Sequence, residues 1–198
     1  MAAMTTTSTA AIDDIWAFWF GVLDDQGDAA PAVVKRWWLK DAAFDEQVRT
    51  RFAALHREVS AGAHEAWRES ARGAVAYVLV LDQFSRNMFR DTPASFASDG
   101  RGLAAAKDAV ARGLDRELPR AARGFLYLPY MHSEALADQD TCVDLFADLP
   151  GAAQNRDFAE KHRMIIRRFG RFPHRNAILG RAATPDETAF LREPGSSF

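Results

Sequence analysis

The sequence predicts an all-α, single-domain protein, and three observations carry that expectation. Apolar residues recur at helical spacing along almost the whole chain. No stretch alternates apolar and polar residues for long enough to form a half-buried strand. Glycine, proline and short polar residues interrupt the periodic segments roughly every 10 to 20 residues, where helix ends would fall.

Ile12, Ile15, Trp16 and Trp19 follow the i, i+3, i+4, i+7 spacing of an amphipathic helix that ends near Gly21. Residues 22–30 (VLDDQGDAA) read as a loop. Pro31 has no N–H to lose in a first helical turn, so it opens a short helix reaching Trp37 and Trp38. Asp41 is placed to cap a long helix whose inner face carries Phe44, Val48, Phe52, Leu55 and Val59, with Gly62 as its stop. A fourth helix is expected from Ala71 to Phe84, with Ala74, Tyr77, Val78, Leu81 and Phe84 inward. Asp91-Thr92-Pro93 marks a turn, and a fifth helix runs from Asp99 to Arg112 before Gly113.

Pro119 opens a sixth helix, and Pro129 is expected to kink or break the chain before a seventh. That seventh helix would carry His132, Leu136, Val143 and Phe146 on one side and stop before Pro150-Gly151. An eighth covers Ala152 to Phe169, with His162 among its apolar residues and Gly170 at its end. Thr184-Pro185-Asp186-Glu187 spells a capping box with proline at the first helical position, so a last helix covers Pro185 to Arg192. Short loops between such helices favour antiparallel neighbours, giving about eight to nine helices in one array.

Composition narrows the setting. The chain has 198 residues, 48% hydrophobic and 26% charged, which suits one well-cored domain and not a disordered chain. A formal net charge of −2 gives no global attraction to nucleic acid or an anionic membrane. The single cysteine, Cys142, can form neither an internal disulfide nor a cysteine zinc site, which suits a reducing compartment. MAAMTTTSTAA lacks the basic and apolar parts of a secretory signal, so residues 1–11 are expected to be a disordered tail ahead of one domain over 12–198. The longest apolar run, Ala74 to Leu81, falls far short of the roughly 20 residues of a membrane span. A cytoplasmic location is expected.

Three segments hold residues suited to chemistry. In LDQFSRNMFR, Asp82 and Arg86 lie one helical turn apart and can pair, with Gln83 and Asn87 on the adjacent face. In PYMHSEALADQD, His132 is expected on a partly buried face. Glu134 and Asp138, at i and i+4 of one helix, need a cation between them. Histidine and carboxylates can bind a divalent metal, but His-x-Glu does not place two imidazoles on one helical face, so arginines are the expected counter-charges and no metal is assigned. In the third segment, residues 156–181 hold eight basic residues against two acidic ones. Arg171, Arg175 and Asn176 are its ligand-binding candidates, because arginine offers a planar fork to carboxylates and phosphates. His162 reads as a core residue. His174, in a loop beside Arg175, is kept neutral by its cationic neighbours and is the first choice for a functional imidazole.

These motifs resemble a bacterial tetratricopeptide-like family catalogued as domain of unknown function 924. The resemblance rests on FWFG, LDQFSRNMFR, PYMHSE with the following Asp138-Gln139, RFGRFPHRNAILGR and ATPDETAFL, and it spans nearly the whole chain. It implies an all-α, tetratricopeptide-like superhelix and brings no established activity, cofactor or partner.

The residues themselves point to a small anionic ligand, a carboxylate or a phosphate. Its pocket would be walled by Trp and Phe and floored by Arg86, Arg171, Arg175, His132, Glu134 and His174, with acid/base chemistry by Glu134, His132 or His174. The alternatives are an adaptor that holds an acidic peptide on a concave helical surface, and a purely structural polar network. RNA binding ranks last, because most arginines of 156–181 alternate with core residues instead of lining one open face.

Overall fold

The computed structural model describes residues 6–196, and among these the chain is all-α, with nine helices joined by loops and 3-10 turns. The helices are α1 (Thr6–Trp19), α2 (Pro31–Trp38), α3 (Ala42–Ser60) and then α4, a rod over 71–88. This rod is α-helical over Ala71–Leu79, turns π-helical over Val80–Phe84 and regains an α turn over Ser85–Met88. There follow α5 (Asp99–Ala111), α6 (Arg120–His132), α7 (Leu136–Ala147), α8 (Ala153–Phe169) and α9 (Pro185–Phe190).

The expected start and stop signals act through visible hydrogen bonds. The Asp41 carboxylate accepts from the amides of Ala43 and Phe44 at the head of α3. Ser70 caps α4 by accepting from the Gly73 amide, and a side chain at Gly73 would collide with the Trp67 carbonyl. Thr184 and Glu187 form the complete capping box of α9.

Four expectations change. Helix α1 begins at Thr6, so residues 6–11 of the expected tail are helical; residues 1–5 lie outside the described residues. Helix α4 does not stop at Phe84, because the π-turn carries it on to Met88. Pro129 lies inside α6 without ending it. The chain breaks at residues 133–135 instead, where Gln139 reaches back to cap the end of α6: its Nε2 donates to the carbonyls of Met131 and Ser133, both at 2.7 Å. Leu136 is consequently exposed instead of continuing the inner face from His132.

α4 is the axis of the fold. From Ala74 to Ser85 every residue is buried, and α1, α3, α5 and α6 all pack against this rod. Trp19, Phe20, Phe52, Phe84 and Phe125 fill the space around it, each ring worth about 1.5–3 kcal/mol on leaving water. Of the tryptophans, Trp16, Trp19 and Trp67 lie in the core and Trp38 is exposed. In a solenoid each repeat touches only its neighbours, whereas α4 touches α1 and α6 across the chain order.

Residues 170–196 form a C-terminal appendage with a minor core of its own. Ile165, Ile166 and Phe172 pack there with Phe169 and Phe190, apart from the main core. Two forked ion pairs pin it: Arg171 on Glu187 (2.6 and 2.8 Å) and Arg181 on Glu134 (2.8 and 3.0 Å). No helix among the described residues is long and apolar enough to cross a membrane.

Candidate polar site between α4, α6 and the C-terminal appendage

The site starts at the π-turn of α4. Opening an i to i+5 turn inside a helix shifts the faces that its side chains present. Here it follows the apolar run and carries Asp82 and Gln83, both buried. The Asp82 carboxylate accepts from Gln83 Nε2 (2.7 Å), pairs with Arg86 Nη1 (3.0 Å) and meets His132 Nδ1 at 2.7 Å. Burial alone would raise the pKa of Asp82, but Arg86 and His132 outweigh it and hold the carboxyl well below its usual range. Burial, helped by Arg86, lowers the pKa of His132 against the pull of Asp82, which keeps the imidazole neutral near pH 7. In that form Nδ1–H donates to Asp82, and Nε2 is left as the acceptor with no partner in the described residues.

Arg86 divides its guanidinium between two carboxylates. It forks onto Asp99, the first residue of α5, at 2.9 and 3.1 Å while holding Asp82. Arg175 enters from the appendage, donating from Nη2 to the carbonyl of His132 at 3.1 Å. Its guanidinium lies between the rings of Phe96 and Phe172, 4.7 and 4.6 Å from their centroids. The carboxylate of Asp99 is 3.6 Å from Arg175 Nη1, and Arg175 Nε is buried without a hydrogen-bond partner. Burial, then the nearby Arg86, lowers the pKa of Arg175 to about 10, still charged at neutral pH. The side chains of Arg86, Asp99 and His132 are 17–22% exposed, whereas that of Asp82 is only 2% exposed, so the cluster opens to water at one edge.

Glu134 lies in the link between α6 and α7, not on a helix with Asp138. Besides the Arg181 fork it accepts from the Phe172 amide at 2.8 Å. Burial pushes its carboxyl up, but Arg181 and Phe172 outweigh that and hold it low. It therefore tethers the appendage. Asp138 pairs with Lys107 (2.5 Å) and Ser133 (2.7 Å), so its counter-charge is a lysine and not one of the expected arginines. Asn87 joins Arg90 on Asp45 of α3, away from the Arg86 cluster. Arg171 and Asn176 both lie with Glu187 in the appendage, which fixes α9. His174 is half-buried with its ring 5.6 Å from Phe172, and burial, then Arg175, lowers its pKa to about 4. His162 is buried, bonds the Phe158 carbonyl at 2.8 Å and falls to about 3, again through burial first.

Of the candidates, the fold brings Asp82, Gln83, Arg86, His132 and Arg175 into one cluster. Two members, Asp99 and Phe96, were not among them. Asp99 stands where a helix needs an acidic first turn, and that role conceals any other at the sequence level. The expected tryptophan wall is absent: the rings at the cluster are Phe96 and Phe172. Two concavities, of about 710 and 560 Å³, lie elsewhere. The first is beside Trp16, Arg72 and Leu118, the second beside Trp37, Trp38 and Phe125, and no residue of the cluster lines either. No group of three His, Cys, Asp or Glu side chains among the described residues is arranged to hold a metal ion.

Residues 15–195 match a family model described as bacterial protein of unknown function (DUF924). The chain is also similar to a solved structure from Agrobacterium tumefaciens, a protein of unknown function designated ATU0120. The two share 38% identity and a TM-score of 0.84, covering 93% of this chain and 98% of the other. No curated protein matches the chain.

Proposed function

The chain belongs to the bacterial DUF924 family of unknown function, and we propose that it binds a small anionic ligand through Arg86 and Arg175, with His132 beside them as the group that takes or gives a proton. One observation carries this reading: Arg175 is a buried guanidinium with an unpartnered Nε, and it sits next to a second arginine. Two like charges side by side in a partly desolvated edge need an anion beside them, a place that Asp99 fills in the free protein and that an external anion can take. His132 supplies the chemistry that could follow binding. Asp82 fixes its orientation through Nδ1 and leaves Nε2 as the basic atom, the arrangement a general base needs. His132 thus replaces His174 as the preferred imidazole, because the buried Asp82 carboxylate is hydrogen-bonded to it and orients it.

A thermal-shift screen of the intact protein against phosphorylated metabolites and carboxylates tests the reading. The expected result is a rise in melting temperature with at least one class, lost in Arg175→Gln while the variant stays folded. No response across the whole panel would sink it.

A structural network is the second reading, favoured by the full pairing of Glu134 and Arg86 and by the position of the two concavities elsewhere. An adaptor would need a tetratricopeptide-like array. We assign such stacking only to α5–α8, where each helix packs on the next. As a reader of acidic peptides it would display unpaired cations on a concave face, and the cations that the structure groups are instead turned onto internal carboxylates.

A further inference from the structure

Asp99 occupies the place that an anionic ligand would take. It is gripped by both oxygens on the Arg86 fork and approached by Arg175, and both guanidiniums lie against the same ring, Phe96 (5.9 and 4.7 Å). Of the two carboxylates on Arg86, Asp82 is locked by three partners (Gln83, Arg86 and His132) and almost wholly buried. Asp99 is 22% exposed and is held by the two arginines alone. Its position also makes leaving cheap. As the first residue of α5, a carboxylate that swings toward water still complements the helix N-terminus. The preceding Ser98 makes no side-chain cap, and the space around Gly100 is open.

With Asp99 in place, two arginines face two aspartates; with Asp99 swung out, one positive charge is left over. A monocarboxylate would replace like with like, against an intramolecular competitor whose effective concentration is in the millimolar range or above. A phosphate monoester brings about two charges and three acceptor oxygens to the two planar forks. Resting on the anion-binding reading above, we infer that the ligand carries a phosphoryl dianion, and that the Asp99 carboxylate holds its place in the free protein and swings out when it binds.

Isothermal titration with inorganic phosphate and with acetate tests this, on the full chain and on Asp99→Asn, Asp99→Ser and Arg175→Gln, at a pH above the second pKa of phosphate. The wild-type protein should prefer phosphate to acetate by about tenfold or more. Both Asp99 variants should bind phosphate about tenfold tighter and begin to bind acetate, and Arg175→Gln should bind neither. If removing the Asp99 charge lowers the melting temperature, added phosphate should raise it more in the variants than in the wild type. Folded Asp99 variants whose phosphate affinity is unchanged or weaker would overturn the place-holding role, as would a smaller rescue by phosphate. A wild-type preference for acetate would overturn the choice of a dianion. If neither the wild type nor the Asp99 variants bind either anion, the anion-binding reading falls as well.

Discussion

The carboxylate of Asp82 lies 2.7 Å from Nδ1 of His132, joining the π-turn of α4 to the last residue of α6. The same Oδ1 atom is 3.0 Å from Arg86, so one buried anion orients an imidazole and neutralises a guanidinium. Asp82→Asn keeps the shape and removes the charge, leaving Arg86 with Asp99 as its one carboxylate. The expected loss is about 3–5 kcal/mol, the usual cost of breaking a buried pair from one side. Urea unfolding measures it, and a loss under about 1 kcal/mol would place the pair in the class of surface ion pairs.

Acid should weaken the fold before its carboxylates titrate. His162 and His174 are lowered to about 3 and about 4, with burial the main cause, and His132 and His56 are lowered as well. An unfolded imidazole titrates near 6.5, so the unfolded chain takes up protons first as the pH falls. The stability due to neutral, buried histidine is complete above about pH 6.5 and drains as the pH drops from there through about 4. The carboxylates held low, Asp82 and Glu134, begin to cost stability only as the pH falls below about 5. Urea midpoints should therefore fall between pH 7 and pH 5, less steeply in His174→Gln. A flat wild-type profile over that interval would refute the assignment.

Gln139 satisfies carbonyls at the end of α6 from a fully buried position. Gln139→Leu fills a similar volume but strands those acceptors, at about 1–3 kcal/mol for each one left dry. The variant should melt well below the wild type, and amide exchange should quicken around residues 130–135 ahead of the rest of the chain. Equal protection in both proteins would show that water replaces the amide.

The appendage depends on Glu134. Removing Arg181 leaves Glu134 with the Phe172 amide alone and frees the Phe172 carbonyl, which Arg181 also holds at 3.0 Å. Arg181→Ala should raise hydrogen exchange across residues 170–196 while α4 stays protected, because the minor core of Phe172 is separate from the main one. If exchange rises uniformly over the molecule, the appendage and the core unfold as one unit.

Burial pushes the Cys142 thiol up and keeps it from being a thiolate at neutral pH. The native protein should resist alkylation by iodoacetamide until denaturant unfolds it. Labelling at the rate of an exposed thiol would contradict the packing of α7 against α6.

Helix content, the Asp41 cap and the Thr184–Glu187 capping box were legible in the chain because they are local: periodicity and capping depend on residues a few positions apart. The chain also held the parts of the site, since Asp82 and Arg86 one turn apart already form a pair. The break at 133–135 was not legible, because it depends on Gln139 reaching back across it, and a helical reading through Glu134 fits the spacing equally well. Nor was the partner of each charge. Opposite charges attract at any sequence separation, so Lys107 for Asp138, Arg181 for Glu134 and Asp99 for Arg86 are set by which helices the core packs together. The sequence by itself determined the helices and the supply of arginines and carboxylates; the tertiary structure decided that Arg175 is buried beside Arg86 with Asp99 at the opening, because burial around α4 fixes distances between residues far apart in the chain.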